Sequence, residues 1–549
     1  MWVSFLALLT VGPWLLPGYI FGTDFAGPRH YPFPASVTSY AGLQVVLALA
    51  AIALPGEVVG KLLIVAVLGT AGLAAYCALP AGGFAPRAAA AVIYMFNPFV
   101  YDRLAYGQLT VLAGYAVLPL VAHAIRRLML EPGARQALVV AAALAMISVL
   151  DVHLGIVAAM LSVVLAVVHV AMERKDPTRV ARLAGYTLLS AIVALVASAY
   201  WLLPILFGVG TQARTLTRIG PNDLNVFRTV ADPRLGLFPN VLGLFGFWGE
   251  ATGRFVSAKD FVPWWPAVLL VLLAVAIVGA IVAWRGTVPD LVGARPWVLG
   301  LVLAGMAAAI LEMGVSDPRT APVVNALDTI FPPYRGMRDA EKWAALLALV
   351  YAQLMPIAMT AAINWGRDWF RNGTRREFAA AAPMALVLAL QLYYGNALLY
   401  GMHGEVRPSA YPDGWYAADR ALAADPDPGR GVFLPWHGYL ALSFVKNTDR
   451  IVASPAPQFF SIPVVASQDL ETAGIARPSD DPDQAAIQRL VTGAGRADWA
   501  SVLADRNIKY VLLAREVDWS DYSYLDSQAG LVLVKDYGSI LVYRNLMWH

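Results

Sequence analysis

Runs of apolar residues long enough to cross a bilayer follow one another from residue 2 to about 400, and after that they stop. A crossing takes about 20 mostly apolar residues to cover roughly 30 Å of hydrocarbon. On that measure the chain predicts crossings near 2–20, 61–79, 88–101, 109–125, 137–150, 154–172, 183–206, 263–284, 297–313, 342–363 and 378–399. The runs at 88–101 and 137–150 are short and need help from neighbouring helices. From about Gly401 charged residues, Pro and Asp become common, and apolar runs shrink to strand length. Gly431–Trp436 (GVFLPW), Ile508–Ala514 (IKYVLLA) and Leu531–Lys535 (LVLVK) read as short buried strands. Tyr537-Gly538 is placed as the turn of a closing hairpin into Ser539–Tyr543, and residues 483–506 show helix-like spacing through Ile487, Leu490, Val491, Trp499 and Leu503. The pattern predicts a transmembrane region over 1–400 and a soluble α/β domain over 401–549, about 150 residues being enough for a core of its own.

The apolar run Ser36–Leu54 decides the topology, because counting it as a crossing reverses the side of everything after it. With that run kept on one side, the loops at 80–87, 126–136, 173–182, 285–296 and 364–377 share a face and hold 14 Lys and Arg. The opposite loops, 21–60, 102–108, 208–262 and 314–341, hold 11 spread over more than twice the length. Basic loops stay cytoplasmic. Arg126, Arg127, Arg367, Arg371, Arg375 and Arg376 carry most of this bias. The expected topology therefore has about eleven spans, a cytoplasmic N-terminus, an extracytoplasmic C-terminal domain, and 36–54 as an interfacial helix in the first outer loop. Pro32 and Pro34 precede that helix, and Pro55 and Gly56 follow it.

Composition agrees. Of 549 residues 59% are hydrophobic and 14% charged, against about 25% charged in soluble chains. A net charge of +3 gives no footprint for a nucleic acid. The single cysteine, Cys77, excludes a disulfide framework and a Cys-based zinc site.

Ionisable groups at span ends are costly unless they are paired or functional. The first such cluster is FGTDFAGPRH, which sets Asp24, Arg29 and His30 just after the first span. An Asp there can act as general base toward a sugar hydroxyl, or simply end a helix by bonding its own turn. The second is NPFVYDRLAYGQ, with Asp102 and Arg103 adjacent and therefore pointing apart on a helix, either one toward a cavity and the other toward a lipid phosphate, or both within a capped, salt-bridged hairpin. Asp151 and His153 form a small polar pair on the next outer link. With Asp24 or Asp102 they offer at most a sparse ligand set for a divalent cation, and no cofactor motif is present. The last cluster is FPPYRGMRDAEKW, where Arg335, Arg338 and Lys342 at spacings of three and four line one side if the segment is helical. Three cations at a cavity mouth suit a lipid-borne phosphate, and also suit an interfacial girdle.

On Asp24 in GTDF, Tyr31-Pro-Phe-Pro before the interfacial helix, Asn97-Pro-Phe followed by Asp102-Arg103, and the YRGMRDAEKW stretch, the chain resembles the GT-C superfamily of membrane glycosyltransferases. It is similar in particular to actinobacterial arabinofuranosyltransferases and related cell-surface glycan enzymes. The resemblance implies a GT-C-like fold and transfer with inversion from a polyprenyl-phosphate sugar to a glycan, lipid or protein acceptor on the non-cytoplasmic side of the plasma membrane. It implies Asp24 as the catalytic acidic residue and makes Arg335, Arg338 and Lys342 candidates for the donor phosphate. The chain lacks the paired acidic dipeptide that better-defined members carry in the first loop. Two other classes stand beside this one: a transporter or flippase of a lipid-linked or polar substrate, and a non-catalytic glycan-binding scaffold.

Overall fold

The computed structural model describes every residue except 1, 81, 289–290, 292, 370–372, 473–474, 480 and 494–497. Arg371, one of the arginines behind the expected topology, lies outside the described residues. Among the described residues seven helices are long and apolar enough to cross a membrane: Gly56–Ala78, Leu109–Leu130, Val152–Met172, Pro177–Leu206, Trp265–Arg285, Ala294–Ser316 and Ala340–Arg367. Ala381–Tyr394 and Asn396–Met402, bent by 60° at the break between them, make an eighth if they form one span. The chain is a multi-pass membrane protein.

The other expected crossings are shorter. Trp2–Leu15, Phe84–Met95 and Ala134–Leu150 form apolar helices of reduced length, and the run in the first loop folds as the helix Ala41–Ala53. The crossing expected at 88–101 is corrected to two helices, Phe84–Met95 and Pro98–Tyr106. Asn97 caps the second, its side chain accepting from the Val100 amide at 3.1 Å, and Pro98 takes the first helical position, where its missing N–H costs nothing.

Leu109–Leu130 is the most enclosed of the long helices, packed against Gly56–Ala78, Ala134–Leu150 and Val152–Met172. Small residues let helices meet closely here. A Cβ on Gly279 would lie 1.9 Å from the Leu354 carbonyl oxygen, so Trp265–Arg285 and Ala344–Trp369 touch backbone to backbone.

The C-terminal region holds a five-stranded sheet in the order Leu531–Asp536, Ile540–Asn545, Ile508–Ala514, Arg430–Leu434, Val464–Val465. The first two pairings are antiparallel and the last two parallel. Helix Asp413–Ala423 covers one face through Trp415, Ala418 and Leu422 on Phe433 and Leu512. Helices Pro482–Thr492 and Trp499–Ala504 cover the other through Ile487, Leu490 and Trp499 on Val432, Val511 and Leu513. Burial on both faces explains why IKYVLLA is apolar at nearly every position instead of alternating. The expected closing hairpin is present, with Gly538 at φ +82° in its turn.

Candidate functional site

Asp24 stands at the tip of a minimal hairpin, Phe21–Gly22 paired with Phe25–Ala26. Two glycines let that tip press against the end of helix Pro98–Tyr106. Gly107 closes the helix at φ +81°, and a Cβ on Gly22 would lie 2.7 Å from the Gly107 Cα. The Asp24 amide then donates to the Tyr106 carbonyl at 2.7 Å, and on the far side the Ala453 amide donates to the Thr23 carbonyl at 2.8 Å. The hairpin is thus gripped between a helix of the membrane region and a strand of the C-terminal region.

Both carboxylate oxygens are held. Gln108 Nε2 donates to Oδ2 at 3.0 Å, and the Tyr439 hydroxyl donates to Oδ1 at 2.9 Å. The Asp24 side chain is open to a cavity while lying deep among protein atoms, so it faces confined rather than bulk water. That desolvation pushes its carboxyl above the ordinary carboxylate range, against the opposing pull of Gln108, Tyr439 and the Lys342 charge.

Gln108 is itself oriented from below. Arg103 donates to its Oε1, which leaves the amide nitrogen to face Asp24. Arg103 is fully buried and ion-paired to Asp339 and, at 2.6 Å, to Glu341, with its guanidinium over the rings of Phe99 and Phe247. The expectation that either Asp102 or Arg103 meets a lipid phosphate is corrected: both are at 0% exposure, because residues from 339–341 close over them.

Two cavities meet at this point. One, of about 590 Å³, is polar and lies beneath the C-terminal region; Tyr106, Phe227 and Trp248 wall it, with Arg254, Arg338 and Glu471 around them. The other, of about 460 Å³, runs along the interfacial helix past Tyr40, Leu43 and Leu47 and reaches Leu63. Asp24, Gln108 and Lys342 line both.

The remaining candidates divide. Lys342 stands at the junction, with its nearest carboxylate oxygen, on Asp339, 3.9 Å away. Arg338 lines the polar cavity and pairs with the buried Asp223 at 2.9 Å, a partner it shares with Arg477. Arg335 pairs with Asp328 at 2.6 Å and borders neither cavity. The three cations do not act as one face: the segment folds as two 3-10 pieces, Pro332–Met337 and Ala340–Trp343, separated at Asp339, whose ψ of 88° is not helical and takes Lys342 out of line, while Arg335 and Arg338 are drawn to different carboxylates. Asp151 and His153 line the apolar cavity and face each other at 3.2 Å. Burial raises the Asp151 carboxyl, and the nearby His153 and Lys342 and the Leu154 amide more than reverse this, leaving it below its usual range. Arg29 pairs with Asp419 and stacks on Tyr416 and Phe459, and the His30 amide donates to the Gln458 carbonyl at 2.8 Å, so this stretch ties the first loop to the C-terminal region. Among the described residues no group of three or more His, Cys, Asp or Glu is placed to hold a metal ion.

Sequence reasoning singled out neither Tyr439 nor Arg254, and it treated Gln108 only as the end of a motif. Arg254 lines the polar cavity and its side chain makes no ion pair among the described residues. Gln108, directly after a helix-closing glycine, carried a local signal; Tyr439, 415 positions from its partner, carried none.

No protein-family model matches the chain, and no curated protein matches it by sequence. Among solved structures it is similar to the cryo-EM structure of the arabinofuranosyltransferase AftD from Mycobacteria, with a TM-score of 0.58 and 16% identity, over 99% of this chain and 39% of that one. A structure of a point mutant of the same enzyme gives 0.59 and 16%, over 100% and 41%. The chain spans about two fifths of the length of the structures it matches. The shared property is the fold.

Proposed function

We propose that this protein is a membrane glycosyltransferase that moves a sugar from a polyprenyl-phosphate donor to a surface glycan, with inversion, on the non-cytoplasmic face. The observation that carries this reading is the shared wall: Asp24 and Lys342 border both an apolar cavity beside an interfacial helix and a polar, aromatic-walled cavity beneath the C-terminal region. A lipid-linked sugar needs the first kind of surface and a hydrophilic acceptor needs the second. The likeness of fold to an arabinofuranosyltransferase supports it.

In this mechanism the isoprenoid lies against Leu43, Leu47 and Leu63, and the donor phosphate rests at Lys342. The acceptor hydroxyl enters from the polar side and attacks the anomeric carbon. Its oxygen forms the new bond as the bond from that carbon to the phosphate oxygen breaks, the hydroxyl proton passes to Asp24, and the lipid phosphate leaves. A carboxyl shifted upward by desolvation is a better proton acceptor than one in bulk water. Lys342, helped by Arg254 and Arg338 across the polar cavity, stabilises the charge growing on the leaving phosphate. Attack from the face opposite the phosphate inverts the centre.

The membrane arrangement we infer has the N-terminus in the cytoplasm and residues 401–549 outside. The three shorter apolar helices cross alongside the eight longer segments, which gives eleven spans. Proteoliposomes holding the full chain, supplied with labelled polyprenyl-phosphate sugar and acceptor glycan, test the function. Transfer that disappears in Asp24→Asn at unchanged protein level supports it. Movement of the donor across the bilayer with no glycosidic product replaces it with the flippase reading.

A further inference from the structure

Helix Leu109–Leu130 is enclosed along almost its whole length, and between Val111 and Met129 it opens outward only at Leu120, His123 and Arg127. Spaced three and four apart, these make one stripe that runs to the helix end away from Asp24. At 1.5 Å per residue, Arg127 lies roughly 28 Å from Gln108. The charges acting most strongly on His123 are Arg126, Arg127 and Arg87, all positive. The His123 ring reaches the Ala78 carbonyl, and its Nδ1 is buried without a hydrogen-bond partner. Arg87 sits in the first turn of helix Phe84–Met95, a helix start with no side-chain cap and no acidic residue beside it. The Arg87 side chain makes no ion pair or hydrogen bond among the described residues, and its Nε is buried. Arg127 has only the exposed Glu131 at 3.3 Å, and the buried Arg126 lies over the Trp297 ring. Apolar surface adjoins these charges: Phe84 is exposed and edge-on to Tyr76, Leu73 is exposed one turn before Tyr76, and Leu120 one turn before His123.

We propose that this end of the bundle binds the phosphate of an anionic phospholipid, with Arg87 and the first amides of helix Phe84–Met95 on its oxygens and an acyl chain along Leu73, Phe84 and Leu120. A guanidinium and an uncapped helix start both favour a negative group, and the imidazole adds a donor at Nδ1 once it is protonated. Snorkelling alone accounts for a single arginine at a span end. It does not account for an unpartnered imidazole nitrogen and an uncapped helix start gathered around that arginine. The apolar stripe decides the source of the phosphate, because a soluble anion gains nothing from Leu73, Phe84 and Leu120, whereas a lipid uses both surfaces. The inference makes no use of Asp24 and stands apart from the transferase reading.

The test uses the full-length protein in nanodiscs of four parts phosphatidylcholine to one part phosphatidylglycerol, then delipidation in detergent and native mass spectrometry of the lipid that stays bound. Wild type is expected to retain one phosphatidylglycerol about tenfold above its share of the mixture, the worth of one charge-assisted contact. Arg87→Gln removes that preference. Arg285→Gln, which takes one charge from the end of helix Trp265–Arg285 outside the cluster, keeps it. Retention in proportion to the mixture, or a preference lost equally in both variants, overturns the site and leaves only diffuse surface charge. The thermal midpoint in detergent then separates the sources of phosphate. A rise with added phosphatidylglycerol and none with inorganic phosphate at the same concentration supports the lipid, and equal rises, or none with either, overturn it. Where Arg87→Gln does not accumulate, His123→Leu is measured in its place and read in the same two ways.

Discussion

The Tyr439 hydroxyl donates to Asp24 Oδ1 at 2.9 Å across 415 positions of chain, so a residue of the C-terminal region completes the surroundings of a carboxylate at the start of the membrane region. The other carboxylate oxygen is held by Gln108, which is itself aimed by the buried Arg103. Desolvation raises the Asp24 carboxyl, while these two donors stabilise its charged form.

Removing either donor therefore favours the protonated acid. In Tyr439→Phe, and independently in Gln108→Leu, the acidic limb of the kcat/KM–pH profile moves to higher pH. At a pH above both limbs the loss of rate is small, about tenfold or less, as for one hydrogen bond. A uniform fall with no shift of the limb excludes this positioning role.

Of the three cations in FPPYRGMRDAEKW, only Lys342 borders both cavities. Lys342→Gln raises the donor KM or lowers kcat by about tenfold to a hundredfold, the usual range for one charge-assisted contact. Arg335→Gln leaves both constants near wild type, because Arg335 spends its charge on Asp328 away from the cavities. Steady-state kinetics with varied donor separates the two, and an Arg335 effect as large as that of Lys342 contradicts the assignment.

Arg103→Met leaves the buried Glu341 without its cation and Asp339 with only the more distant Lys342, 3.9 Å away. Breaking a buried pair from one side costs about 3–5 kcal/mol. The expected outcome is a lowered thermal midpoint in detergent and reduced yield in membranes, with activity per folded molecule also falling as Gln108 loses its aim. An unchanged midpoint contradicts the network.

His437 sits between Glu471 at 3.2 Å and Asp518 at 2.8 Å. The bond to Glu471 raises it most, burial opposes, Asp518 adds to the rise, and the result is about 9 against an ordinary 6.5. A folded value above the unfolded one gives stability that is complete below about pH 6.5 and is lost as pH climbs through about 9. Glu471 lines the polar cavity. Hydrogen exchange at 470–472 should therefore quicken between pH 7 and pH 10, after correction for the intrinsic rate, and His437→Gln should remove that dependence. A wild-type profile identical to the variant's rejects the link.

Reporter fusions after Arg376 and after Gly404 are expected inside and outside respectively. The reversed pattern overturns the proposed topology and moves the Asp24 cavities to the cytoplasmic face.

Local pattern determines a good deal here. A long apolar run in a chain this poor in charge has only a bilayer to enter, so the membrane character and most long helices follow from composition and length. The strands Ile508–Ala514 and Leu531–Asp536 both follow from short apolar runs bounded by turns, but the second, expected to be buried, lies at the sheet edge and is exposed at every position after Leu531. Asn97-Pro98 held a legible break that the apolar count of 88–101 overrode, since hydropathy does not register a cap. An ionisable residue just after the first apolar run marked Asp24 as worth attention without saying what would surround it.

Everything that gives Asp24 its chemistry is non-local. Tyr439 and the far wall of the polar cavity reach it because the C-terminal region packs down on the hairpin, and Lys342 and the apolar cavity reach it because segments of the membrane region far apart in sequence converge there. The break at Asp339 takes Lys342 out of line with Arg335 and Arg338, and those two, on the same side of the break, are held by different distant carboxylates, Asp328 and Asp223, although the spacing of all three suits one helical face. Spacing fixes direction only while one regular helix persists, and where the chain leaves it, packing against distant segments sets which way each charge points.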